Sequence, residues 1–163
     1  MNPFAELGLE ERFDLDAEAV ESAYLGLAAS AHPDRFTDPI EQAEAAEKAS
    51  VLNEARDVLL DPERRARALL DLFAPDAKVD DKALPDAFLM DMMDVRERLE
   101  QAVASNDPEQ LAAMRTWADK ARAQHLGAVA RHFEQGAGRA QAIRMELNAL
   151  RYIERMIEQM PTA

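Results

Sequence analysis

Three Asp-Pro pairs, Asp38-Pro39, Asp61-Pro62 and Asp107-Pro108, do most to limit what this chain can fold into. In each pair the Asp side chain suits a helix N-cap. The Pro then falls at the first helical position, where its missing N–H has no intrahelical bond to lose. Glu41 and Gln110 follow the first and third pairs at the spacing of a capping box. Asp16 is placed to cap a further helix, with Leu15 and Val20 at the positions of a hydrophobic staple. Apolar residues recur at helical spacing behind these starts. No stretch shows the sustained alternation, rich in Val, Ile or Thr, that a strand requires.

The reading is an all-α protein. Helices are predicted near 4–9, 17–31, 39–60 and 62–73, and again near 86–105, 108–135 and 139–160. A polar connector, Pro75 to Lys82, divides the two groups, and Gly136-Ala137-Gly138 separates the last two helices. The predicted boundaries are residues 1–74, a connector at 75–85, and a three-helix bundle over 86–163. At 163 residues the chain suits one mid-sized domain or two small ones. About 70% of the unfolded surface is buried at this size, so no covalent staple is needed.

The charge is −13, with 32 acidic and 19 basic residues, which argues against nucleic acid as a partner. The charge is uneven. Residues 1–72 hold 17 acids and 7 bases, a balance of −10, against −3 for the remainder. Cysteine is absent, which removes disulfides, thiolate metal sites and thiol nucleophiles together. No apolar run is long enough to span a membrane, and the first residues lack the pattern of a secretory or transit signal. A cytoplasmic protein is expected.

Between the helices at 17–31 and 39–60 stands His32-Pro33-Asp34. Val20, Tyr24 and Leu27 form a stripe on the first helix, and Ala46, Ala49, Leu52, Ala55 and Leu59 on the second. Two such helices pack as an antiparallel hairpin. Pro33 removes a backbone donor and disfavours α geometry at His32, so the helix should stop there. Alone, the tripeptide is equally a helix stop followed by a loop. Its surroundings are more specific: Tyr24 upstream, Arg35-Phe36 directly after, Ser50-Val51-Leu52-Asn53-Glu54-Ala55 in the next helix, then Leu60-Asp61-Pro62 and Arg65-Ala66.

These residues resemble the J domain, and more narrowly the HscB family of iron–sulfur cluster biogenesis co-chaperones. The opening Phe4, Leu7-Gly8-Leu9 and Phe13-Asp14-Leu15-Asp16 looks like that family's start. The resemblance implies that His32, Pro33, Asp34 and Arg35 dock on a DnaK/HscA-type chaperone and stimulate its ATP hydrolysis. Asp34 would then offer a charge-assisted partner to an Arg of the chaperone. No bond chemistry by this chain is implied, and no catalytic residue. One departure concerns charge. The family's second helix usually presents Lys and Arg, whereas residues 14–31 contain Asp14, Asp16, Glu18 and Glu21 with no base. Arg35 and the Arg64, Arg65 and Arg67 group are the nearby cations.

The helix at 86–105 holds more apolar residues than one core stripe needs. At 100° per residue, Phe88, Met92, Val95, Leu99 and Val103 fall within roughly 80° of arc. Leu89, Met90 and Met93 lie on the adjacent sector, mixed with Arg96, Glu97 and Glu100. Either two further helices bury that sector, or it is a partner surface of apolar groups rimmed by charge. Phe88-Leu89-Met90-Asp91-Met92-Met93-Asp94-Val95-Arg96-Glu97 resembles the C-terminal signature of the same family. The resemblance implies that Leu89, Met90, Met93, Asp94, Arg96 and Glu97 bind the iron–sulfur cluster scaffold protein, with Tyr152 as an aromatic contact on the last helix.

Other signals are weaker. His125 and His132 lie two helical turns apart without Cys nearby, so zinc has no support and solvated histidines are expected. Trp117 reads as a packed aromatic. The expectation is therefore a co-chaperone rather than an enzyme, with no cofactor and no metal. It would deliver the scaffold protein to its chaperone as a monomer, a dimer being the alternative. Other readings are a J-domain protein serving a different client, or a helical interaction or dimerisation protein with weakened chaperone coupling.

Overall fold

The computed structural model describes residues 1–75 and 82–161. Two compact units divide the chain, Met1–Pro75 and Asp76–Ala163. The described residues contain helices and connecting turns, and no strand. The segment 76–81, which holds most of the expected connector, lies outside the described residues.

In the first unit α1 spans Pro3–Leu7, α2 Ala17–Ser30, α3 Pro39–Leu60 and α4 Pro62–Phe73. The caps form as the Asp-Pro pairs require. Asp38 Oδ1 accepts from the amides of Ile40 and Glu41, and Asp61 Oδ1 from those of Glu63 and Arg64. Asp16 likewise accepts from Glu18 N–H. The first helix ends earlier than its spacing suggests, because Gly8 adopts φ 65°, a left-handed geometry that glycine takes without a Cβ clash. Its amide then bonds Ala5 C=O while that of Leu9 reaches Phe4 C=O, the paired closure of a Schellman motif.

Helix α3 is the hub, with α1, α2 and α4 all packing on it. Phe4, Val20, Leu52 and Leu59 are fully buried at this junction, and each such side chain contributes about 1.5–3 kcal/mol of hydrophobic stabilisation. The stripe on α3 differs from expectation at one position. Ala45 is buried and Ala46 is exposed. Seven residues bring Ala45 close to the direction of Leu52, whereas six leave Ala46 about 120° away. Tyr24 and Asn53 clasp the hairpin through a 2.7 Å bond from the phenol O–H to Oδ1. The Arg56 guanidinium lies 4.8 Å from the Tyr24 ring centroid and 3.9 Å from Glu21.

The second unit contains α5 (Phe88–Ser105), α6 (Pro108–Glu134) and α7 (Ala140–Ile157). Asp107 caps α6 through Glu109 N–H. Gly136, at φ 95°, carries the chain from α6 into a short 3-10 turn, Ala137–Arg139, so that α6 and α7 pack along each other. Phe88, Met92, Val95 and Leu99 of α5 meet Met114 of α6 and Ile153 of α7 in one core. Trp117 packs against it. The expected solvation of His125 and His132 is overturned here. Both rings are half-buried between α6 and α7, with His125 Nδ1 2.5 Å from Glu146 Oε2 and His132 Nε2 4.0 Å from Glu146 Oε1. The pairing partner is 21 positions beyond His125, on another helix, so spacing along α6 carries no sign of it.

Candidate functional site

The hairpin tip is built by Pro33. Helix α2 stops at Ser30, and Ala31 is buried at 5% exposure, anchoring the turn. Residues Pro33–Arg35 form a single 3-10 turn, in which Arg35 N–H reaches His32 C=O and Phe36 N–H reaches Pro33 C=O. His32 adopts extended backbone angles, φ −71° and ψ 126°, as a residue preceding Pro should. Its Nδ1 accepts from Asp34 N–H at 3.3 Å. The same Nδ1 lies 3.6 Å from Asp34 Oδ2, but an ion pair there needs a proton on Nδ1, which would displace the amide bond. With Nδ1 turned to the Asp34 amide, Nε2–H is the donor left facing outward.

The chemical outcome is specific. His32 offers an Nε2–H donor from a side chain 62% exposed, and Asp34 offers a carboxylate 89% exposed. Both are held on a stiff turn, so little conformational entropy is lost when a partner binds. Arg35 donates from Nη1 to Ala29 C=O at 2.9 Å, bracing the turn against the end of α2. Gln42 adds a second brace, donating to Phe36 C=O at 2.8 Å.

The cations nearest the acidic α2 are committed elsewhere. Arg64 pairs with Glu54 at 2.6 Å, and Arg67 lies 3.7 Å from Glu63. Arg65 donates to Leu59 C=O and covers the Phe13 ring. Burial lowers its guanidinium below the ordinary arginine value, opposed by the charges of Asp14 and Asp61. On α2 itself Leu25 stands 63% exposed among acids. Neither Leu25 nor Arg56 stood out in the sequence, since each looks like ordinary helix filling.

The second predicted group lies on α5. Leu89, Met90 and Met93 are 55%, 73% and 71% exposed, while the core face of the same helix is complete without them. Of the two readings of this sector, the buried one is excluded. Asp94, Arg96 and Glu97 are also exposed, with Arg96 and Asp94 on opposite flanks of this sector. Arg96 Nε lies 3.6 Å from Glu100, and Gln101 donates to Glu97. Tyr152 is half-buried and meets Phe88 edge-on, with ring centroids 5.5 Å apart. It is thus a packing residue whose remaining surface adjoins Arg96 in a shared groove. Helix α5 begins abruptly: Ala87 has φ 62° and supplies no side-chain cap.

A His-Pro-Asp turn on a helical hairpin, followed by a separate helical unit with an exposed apolar face, defines a J-domain co-chaperone. Residues 2–68 match the family model described as the DnaJ domain, and residues 84–160 that of the HSCB C-terminal oligomerisation domain. The co-chaperone protein HscB homolog of Ralstonia nicotianae is 35% identical over 158 residues, 93% of this chain and 89% of that protein. The HscB homolog of Azoarcus sp. is 37% identical over 111 residues, which span 66% of this chain and 63% of the relative. The crystal structure of human co-chaperone protein HscB has a TM-score of 0.82, covering 98% of this chain and 80% of that one. At 20% identity, that likeness concerns the fold alone. The chain belongs to the HscB family of J-domain co-chaperones of iron–sulfur cluster biogenesis. Its partner class is accordingly an Hsp70-type chaperone, and the alternative readings are not favoured. Among the described residues no helix is long and apolar enough to cross a membrane.

Proposed function

We propose that this chain couples an iron–sulfur cluster scaffold protein to a DnaK/HscA-type ATPase, with the two ends of the task assigned to the two units. His32, Pro33, Asp34 and Arg35 engage the chaperone. Asp34 accepts from a chaperone Arg in a charge-assisted bond, His32 donates through Nε2–H, and Pro33 with the braces from Arg35 and Gln42 keeps both groups in place. The stimulated ATPase then retains the client. No bond is made or broken by this chain.

Leu89, Met90 and Met93 form the centre of the scaffold site, with Asp94, Arg96 and Glu97 as its rim and Tyr152 at its edge. The observation that carries this reading is the exposure of three large apolar side chains on a helix whose core face is already filled. Such a face loses unfavourable hydration on binding, and methionines adapt to the contours of another protein.

A steady-state ATPase assay tests the coupling. Adding the chain to the DnaK-type chaperones of its own organism should raise hydrolysis, and His32→Gln should abolish the rise. Failure to stimulate any of them would refute the assignment of residues 32–35.

A further inference from the structure

Beside the apolar face of α5 runs a groove of about 460 Å³, walled by α5, α7 and the residues that lead into α5. Its outer wall is pinned by Asn148 Nδ2, which donates to Ala83 C=O at 2.8 Å. The groove is lined by Lys82, Arg96, Arg151 and Arg155, and no acidic side chain among the described residues joins them. This is unexpected in a chain with 32 acids and 19 bases. The nearest acids of this stretch lie on the adjoining sector: Glu154, three residues after Arg151, and Glu158, just beyond α7 and three after Arg155, line a different groove together with Arg115 and Arg122. Bases and acids therefore line separate, neighbouring grooves.

Arg151 and Arg155 stand four residues apart on one helical face, and neither forms an ion pair with a described residue. Both side chains are exposed and carry planar donors suited to bidentate capture of carboxylates. Arg96 and Tyr152 belong to this groove and to the proposed scaffold site at once, so the two surfaces are continuous.

We infer that the groove seats an acidic segment of the client protein, a run bearing two or more Asp or Glu side chains next to the apolar residues that cover Leu89 and Met93. The inference rests on the scaffold-binding reading of that apolar face. It adds a charge requirement to it: the client must present carboxylates at the α7 side of its contact. Arg151 and Arg155 are then specificity determinants, which speed and orient docking while Leu89 and Met93 hold the complex.

Calorimetric titration of the full chain with the scaffold protein of its own organism tests this at two salt concentrations. Arg151→Glu combined with Arg155→Glu should weaken binding about tenfold at low salt, and the difference should shrink as salt screens it. Circular dichroism of the variant should be unchanged, since both residues are exposed. Binding equal to or tighter than that of the unaltered chain would overturn the acidic-segment assignment while leaving the apolar site intact. If the unaltered chain fails to bind the scaffold, the client reading fails, and the groove is judged with a fluorescent Glu-rich octapeptide. Anisotropy that rises with the unaltered chain and not with the double variant supports the groove. No rise, or an equal rise with both, overturns it.

Discussion

Replacing Phe88 by Ala should unfold the second unit more readily than any change on its exposed face. The ring is 5% exposed at the first position of α5, and it touches two other rings edge-on: His125 at 5.8 Å and Tyr152 at 5.5 Å between centroids. It thereby ties α5 to α6 and α7 at once. Truncating a buried Phe to Ala costs about 3–5 kcal/mol, the cavity included. For a unit of this size unfolding free energy falls by about 1 kcal/mol per molar urea. The midpoint should therefore drop by roughly 3 M or more. Trp117 is the sole tryptophan and packs against this core, so its fluorescence in urea reports on this unit alone. Phe88→Leu, which keeps most of the volume, should lose less than half as much. A midpoint for Phe88→Ala within about 0.5 M of the unaltered chain would refute the claim that this ring joins the three helices.

Leu89→Ala combined with Met93→Ala should weaken scaffold binding by about 1–4 kcal/mol in calorimetry, with no loss of thermal stability because both side chains are already exposed. Retained affinity would place the site elsewhere. Asp61→Ala removes the acceptor for the amides of Glu63 and Arg64 and should cost about 1 kcal/mol. Differential scanning calorimetry should show the J-domain transition falling by about 4–8 °C. Glu146→Ala leaves His125 without its carboxylate in a half-buried site, and should destabilise the second unit by about 1–3 kcal/mol on the Trp117 readout.

The parts of this fold that could be read directly were those set by neighbours in sequence. Asp38, Asp61 and Asp107 each cap the helix that their Pro begins, because cap and start lie within four residues. The stop at His32 followed from Pro33 for the same reason. What depended on distant partners was less accessible. His125 looked solvated until Glu146 arrived from α7. Arg64, Arg65 and Arg67 looked available for docking until Glu54, Leu59 C=O and Glu63 took them up. Ala87 in a left-handed conformation has no sequence signal at all, since alanine is not the residue such a turn prefers.

The two sites divide along the same line. His32 and Asp34 are identified by a contiguous motif, and their exposure follows from the turn. The Leu89–Met93 face was ambiguous, because periodicity measures how apolar residues are distributed and not whether another helix covers them. Only the filled core on the opposite side of α5 shows that the sector is left exposed. The basic lining of the groove beside α5 is harder still, as it draws residues from separate elements.

The Asp-Pro caps have one more consequence, and it is chemical. Asp-Pro is the peptide linkage most easily hydrolysed in warm dilute acid, because the neighbouring carboxyl attacks the bond and the proline nitrogen leaves readily. In this chain those linkages stand at 38–39, 61–62 and 107–108, immediately ahead of α3, α4 and α6. Brief acid treatment would part the chain between its helices and leave every one of them whole, a ready-made peptide map in which each internal fragment opens on a proline.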